Sequence, residues 1–132
     1  MSNPIKILLV EDNADDEHLA LRALRKWDQQ IEIEVVRDGQ EALERILNAD
    51  LSLPNVVLLD INLPKISGIS VLTQVREVPR TAKLPVIVLV SSDEPAQMKA
   101  EYEFCASGTI QKPLLLESFL AAIRSIGLNI PT

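Results

Sequence analysis

Five short apolar runs punctuate the chain: "IKILLV" at 5–10, "IEIEVV" at 31–36, "NVVLL" at 55–59, "PVIVLV" at 85–90 and "GTIQ" at 108–111. Three of them are almost continuously apolar and rich in β-branched residues, the pattern of strands buried on both faces. The second alternates Ile31, Ile33 and Val35 with Glu32 and Glu34. One of its faces is wet, which predicts a strand near a sheet edge. Helical patterns lie between the runs. In 14–27, Leu19, Ala20, Ala23, Leu24 and Trp27 share a face at 3.6-residue spacing. In 39–48 the stripe is Ala42, Leu43, Ile46 and Leu47, preceded by the capping pair Asp38 and Glu41. Residues 68–76 offer Val71, Leu72 and Val75 after Ser67 and Gly68, where a tight backbone turn is expected. Pro95 suits the first turn of a fourth helix, weakly patterned through Met98 and Tyr102. The cleanest stripe is Leu116, Phe119, Leu120, Ile123 and Ile126 in 114–126, with Gly127 as its stop.

Strand and helix alternating five times predict an α/β fold with a parallel sheet and helices on both faces. Right-handed crossovers leave few topologies. The expected one is the flavodoxin-like (βα)5 three-layer sandwich, of strand order 2-1-3-4-5. Such sheets bind ligands beyond the carboxyl ends of the strands, where the order reverses between the first and third.

At that reversal the chain places acids. Glu11 and Asp12 follow the first strand and Asp60 ends the third. Two unit charges about 4 Å apart repel by about 4 kcal/mol at an effective dielectric near 20. Three converging carboxylates therefore need a raised pKa or a cation. Oxygen-only ligands in an open shell favour Mg²⁺, which completes its coordination with water and phosphate. Lys112, at the end of the fifth strand and before Pro113, lies on the same edge and offers a point charge for a phosphate. A carboxylate nucleophile, a cation and a lysine describe a phosphoryl acceptor. No Walker loop and no GxGxxG follows the first strand, which argues against a nucleotide donor.

Bulk properties agree. The 132 residues, 47% of them hydrophobic, suit one domain, 1–132, with its core over 5–126. A net charge of −6 disfavours direct nucleic-acid binding. No apolar run approaches the roughly 20 residues that span a bilayer, no secretory leader is visible, and the single Cys105 permits no internal disulfide. A cytoplasmic location is the expectation. The acids 15–17 read as first-turn residues favoured by the helix dipole. His18 reads as solvated or capping, Trp27 as packing, and Cys105 as an apolar filler.

With "LLVEDNADD", "LLDINLPKISG", "LPVIVLVSSDE" and "IQKP" in order and in register, the sequence resembles the receiver domain of two-component response regulators. The single-domain, CheY-like type is nearest, and the wording of "VEDNADDEHLALRAL" and "VVRDGQEAL" is similar to regulators serving phytochrome-type and other hybrid kinases. The resemblance implies that Asp60 is the phospho-acceptor and that Glu11 and Asp12 hold Mg²⁺. It implies that the Asn62 backbone carbonyl joins them and that Lys112 pairs with the phosphoryl group, before a cis bond to Pro113. The donor would be a phosphohistidine on a histidine kinase or a phosphotransfer protein. Output would pass by protein contact, with a homodimer through the fourth helix, fifth strand and fifth helix as one form. The chain would be an acceptor and not a turnover enzyme. A haloacid-dehalogenase-like phosphohydrolase also uses a strand-end Asp but needs a second Asp where Asn62 stands. Two positions depart from the receiver pattern. Val90 occupies the place of the usual Ser or Thr, and Thr109 that of the usual aromatic. They leave open a non-switching interaction module or a phosphate sink.

Overall fold

The computed structural model describes residues 4–91, 96–103 and 105–128. The strands are β1 Ile5–Val10, β2 Ile31–Val36, β3 Val56–Asp60, β4 Val86–Val90 and β5 Gly108–Gln111. Between and after them run α1 Ala14–Leu24, α2 Gly39–Leu47, α3 Gly68–Glu77, α4 Ala96–Glu103 and α5 Leu116–Ser125. All pairings are parallel, in the order β2-β1-β3-β4-β5. This is the flavodoxin-like arrangement that the alternation predicts. The half-wet β2 takes one edge, as its glutamates require, and the short β5 takes the other.

Strand alternation divides the interior in two. Leu8, Val10, Val57, Leu59, Val86, Val88 and Val90 pack with Ala42, Leu43 and Ile46 of α2, Val71, Leu72 and Val75 of α3, and Tyr102 of α4. Ile7, Leu9, Val56, Leu58, Ile87, Leu89 and Ile110 pack with Ala20 and Leu24 of α1 and Phe119 and Ile123 of α5. Every residue of β3 and β4 is buried, as continuous apolar runs demand. The phase has a consequence at the carboxyl edge. Glu11 continues the series Ile7, Leu9; Asp60 continues Val56, Leu58; Lys112 follows Ile110 by two. All three are therefore in phase with the α1/α5 side.

The helices differ from expectation at their ends. α1 stops at Leu24, because the N–H of Lys26 donates to Ala23 O (3.2 Å) and that of Trp27 to Leu24 O (3.1 Å) in a tighter turn. Trp27 is still buried, and its ring meets Phe119 edge-on at 5.5 Å. Leu19 is not core: it is 45% exposed. The buried face of α1 centres on Ala20, Ala23 and Leu24, and Leu19 falls on its shoulder. α5 starts at Leu116, with exposed Leu115 extended at the N-cap, and Gly127 follows its end at φ +74°, the stop expected there. Pro95 lies outside the described residues, as does the side chain of Met98. In the α2 cap, Asp38 accepts from the Glu41 N–H (2.8 Å), while Glu41 accepts from Arg37 N–H (3.0 Å), one residue before the cap. Cys105 is half-buried, beside the core that holds Tyr102.

α3 begins directly beneath the end of β3. Ser67 caps it by accepting from Ser70 N–H (3.2 Å), and Gly68 N–H donates to Ile61 O (3.1 Å). A Cβ on Gly68 would sit 2.7 Å from the carbonyl oxygen of Asp60 and 2.7 Å from Ile61 Cα. Both are backbone atoms, which cannot swing away. Gly68→Ala should therefore lower stability by about 1–3 kcal/mol. A denaturant midpoint equal to that of the wild type would mean that this turn yields freely.

Candidate functional site

Four segments meet at the carboxyl edge. After β1, Glu11 N–H donates to Val36 O (3.0 Å), which holds the chain in the sheet for one residue beyond the strand. Its side chain is then 1% exposed, while that of Asp12 turns to solvent. Asn13 ends the loop as the N-cap of α1, and its Oδ1 accepts from Asp16 N–H (2.9 Å). Asp60, the last residue of β3, is 3% exposed. Its Oδ1 accepts from the backbone N–H of Asn62 (3.0 Å). The N–H of Lys112 donates to Val90 O (2.7 Å), which extends the β4–β5 ladder to the lysine. The Lys112–Pro113 peptide is cis.

The structure brings the predicted acids together. Carboxylate oxygens of Glu11, Asp12 and Asp60 lie within 4.8 Å of one another. Lys112 Nζ stands 2.9 Å from Asp60 Oδ2 and 3.1 Å from Glu11 Oε1. A third partner was not foreseen: Asp16 Oδ2, at 3.0 Å from the same ammonium. The acids 15–17 read in the sequence as helix-dipole residues only. The available signal was periodicity, for Asp16 lies four residues before Ala20 and seven before Ala23, on the inward stripe of α1. His18 is exposed and lies outside the group.

Charge is out of balance here. Burial, then the hydrogen bond and charge of Asp60, push Glu11 up to about 8, and Lys112 offsets this only in part. Burial opposes the ammonium of Lys112 too, yet Asp60, Asp16 and Glu11 outweigh it and hold its pKa above the ordinary lysine value. One fixed positive charge thus leaves a surplus of negative charge. The donor set is all oxygen and partly open through Asp12, which fits a hard divalent cation. The departing positions are equally plain. Val90 is 8% exposed and packs into the core on the α2–α4 side, and Thr109 is exposed, paired across the ladder with Val88.

Residues 7–124 match the response regulator receiver domain family. The chain belongs to this family. The receiver is 36% identical to the bacteriophytochrome response regulator AtBRR, whose structure it matches with a TM-score of 0.88, covering 99% of this chain and 98% of that one. It is 32% identical to response regulator Rcp1 of Synechocystis sp., over 95% of its own length and 88% of that protein's. A Mn²⁺-bound form of Rcp1 matches with a TM-score of 0.77 over 98% of each chain. The phosphorylated cyanobacterial phytochrome response regulator RcpA matches at 33% identity and a TM-score of 0.79, over 98% of each chain.

The raised Glu11 pKa has a sign that can be checked. A carboxyl that ionises near 8 in the fold and near 4.5 unfolded favours the fold below the lower value. That contribution is lost as the pH rises through the upper one. Glu11→Gln removes the charge at every pH. Without divalent cations the variant should melt roughly 4–8 °C above wild type at pH 8 and near wild type at pH 5. Added Mg²⁺ should stabilise the wild type and leave the variant nearly unmoved. Melting curves that differ by the same amount at both pH values would contradict this.

Proposed function

We propose that this receiver accepts a phosphoryl group on Asp60 from the phosphohistidine of a histidine kinase or phosphotransfer protein. The kinase would be of the phytochrome-linked or hybrid type, and the receiver would pass the signal on by protein contact in the cytoplasm. The observation that carries the reading is the buried Asp60 carboxylate, at once 2.9 Å from Lys112 and clustered with Glu11 and Asp12. Asp60 attacks phosphorus in line, and the P–N bond to the imidazole breaks with its electron pair left on nitrogen. Lys112 then follows the negative charge from carboxylate to phosphoryl oxygen. Glu11, Asp12, Asp60 and the Asn62 carbonyl would hold Mg²⁺, which when bound supplies charge cancellation on the phosphoryl oxygens. The relatives support this: Rcp1 has a Mn²⁺-bound form and RcpA a phosphorylated one. So does the likeness to AtBRR for the phytochrome-type partner. No described helix is long and apolar enough to cross a membrane. The chain acts as an acceptor, not as a turnover catalyst. Pairing of two copies through the α4–β5–α5 face, where edge strand β5 exposes Thr109 and Gln111, is one output this reading allows.

A second reading, a weakly switching module or phosphate sink, is favoured by Val90. Its apolar side chain is packed away where a hydroxyl would bond a phosphoryl oxygen. A hydrogen bond to a charged group contributes about 1.5–3 kcal/mol. Its loss would weaken coupling between phosphorylation and shape, while acceptor, acids and lysine remain.

Incubation with acetyl phosphate and Mg²⁺ should add one phosphoryl group to the wild type by intact mass. Asp60→Asn, or a chelator, should abolish the gain. Equal labelling of the Asn variant would remove Asp60 from the role. In a second experiment, Val90→Thr should enlarge the phosphorylation-dependent change in self-association roughly tenfold. No enlargement would mean that the missing hydroxyl does not limit the switch.

A further inference from the structure

Among the described residues, Asp16 is the one carboxylate that reaches Lys112 from a helix. Glu11 and Asp60 come from strand ends and are almost fully buried, with side chains 1% and 4% exposed, whereas that of Asp16 is 35% exposed. Its position is fixed by its own backbone, since the Asp16 N–H is the one that the Asn13 cap receives. Helical phase then aims its side chain along the stripe of Ala20 and Ala23, one turn beyond the end of the core. Asp16 is also absent from the cluster of mutually close carboxylates, which is Glu11, Asp12 and Asp60. It touches the lysine without joining the group that suits a metal ion.

We propose that Asp16 positions Lys112, holding its ammonium to α1 while Asp60 is bare and competing for it with the phosphoryl group once Asp60 carries one. The inference rests on the phosphoryl-acceptor reading. An ammonium has three hydrogens, and here all three directions meet a carboxyl oxygen, of Asp60, Asp16 and Glu11. A phosphoryl group adds further oxygens to this crowd, so one carboxylate must give way. Asp16 is the most solvated of the three and loses least by release. Two effects then have the same sign. Removing the Asp16 charge frees Lys112 for the phosphoryl oxygens, and it lowers repulsion of the incoming anion. Asp16 is thus a brake on occupancy of the site. Its release upon phosphorylation also frees the first turn of α1, a route that does not pass through Val90 or Thr109.

The test uses beryllium trifluoride, a mimic of the phosphoryl group, bound to the whole chain in saturating Mg²⁺ and followed by fluorine NMR or calorimetry. Asp16→Asn should bind it roughly two- to tenfold more tightly than wild type, the span expected for a partly exposed ion pair. Asp16→Glu, which keeps the carboxylate, should stay near wild type. Asp15→Asn removes the same charge one residue earlier, from an exposed side chain with no ion pair to Lys112 among the described residues. It should also stay near wild type. A residue that only stabilised the helix would lower affinity or leave it unaltered when replaced. Equal affinity of wild type and Asp16→Asn overturns the proposal, and so does an equal gain from Asp15→Asn. Binding by wild type in either case leaves the phosphoryl-acceptor reading standing. No binding by wild type overturns that reading and this one with it.

Discussion

Everything at the carboxyl edge turns on one ammonium shared among three carboxylates. Lys112 sits between Asp60, Asp16 and Glu11 at 2.9, 3.0 and 3.1 Å, and each of those acids comes from a different element. The contact joins the end of β5 to the ends of β1 and β3 and to the first turn of α1. It cancels enough charge for the acids to be buried, but not all of it: burial, and then Asp60 beside it, still hold the Glu11 carboxyl above its ordinary range. The remaining surplus of negative charge suits a cation. The same lysine lets the acids converge in the fold, and under the proposed function it would also be the partner of the phosphoryl group.

The surroundings exist to hold those groups still. Strand phase sends Glu11, Asp60 and Lys112 toward the same side of the sheet, because Ile7 and Leu9, Val56 and Leu58, and Ile110, which precede them in the same phase, lie in the core that α1 and α5 cover. The backbone of Asp60 is pinned from below by Gly68, where no side chain has room. Lys112 is held in register by its N–H on Val90 O. A packed core of β-branched side chains thus sets the reach of a flexible lysine, and burial of Glu11 where the carboxylates converge is unfavourable for its ionised form.

Much of this was legible in the sequence. Continuous apolar runs named the central strands, and the glutamates of β2 named an edge. The acids at the ends of β1 and β3 became neighbours once the strand order was known. What failed did so for physical reasons. Leu19 fits a helical stripe by spacing alone, but α1 is covered on a narrow face of small residues, so a shoulder leucine stays wet. Trp27 keeps its place in the core although the helix has ended, because a tighter turn continues the rotation. Asp16 was hidden by its neighbours: in a run of three acids at a helix start, the dipole accounts for all of them, and only the third dimension singles one out.

The Asn13 cap makes the short passage from β1 to α1 a ruler. One amide fixes where the helix begins, and the helix start fixes which residue faces Lys112. Inserting or deleting a single residue between Glu11 and Ala14 would turn α1 by about 100° relative to the sheet. Asp16 would swing off the lysine, and Asp15 or Glu17 would arrive with the wrong reach. Length in this passage is therefore constrained more tightly than its solvent-exposed residues suggest, and drift in it should be by substitution alone.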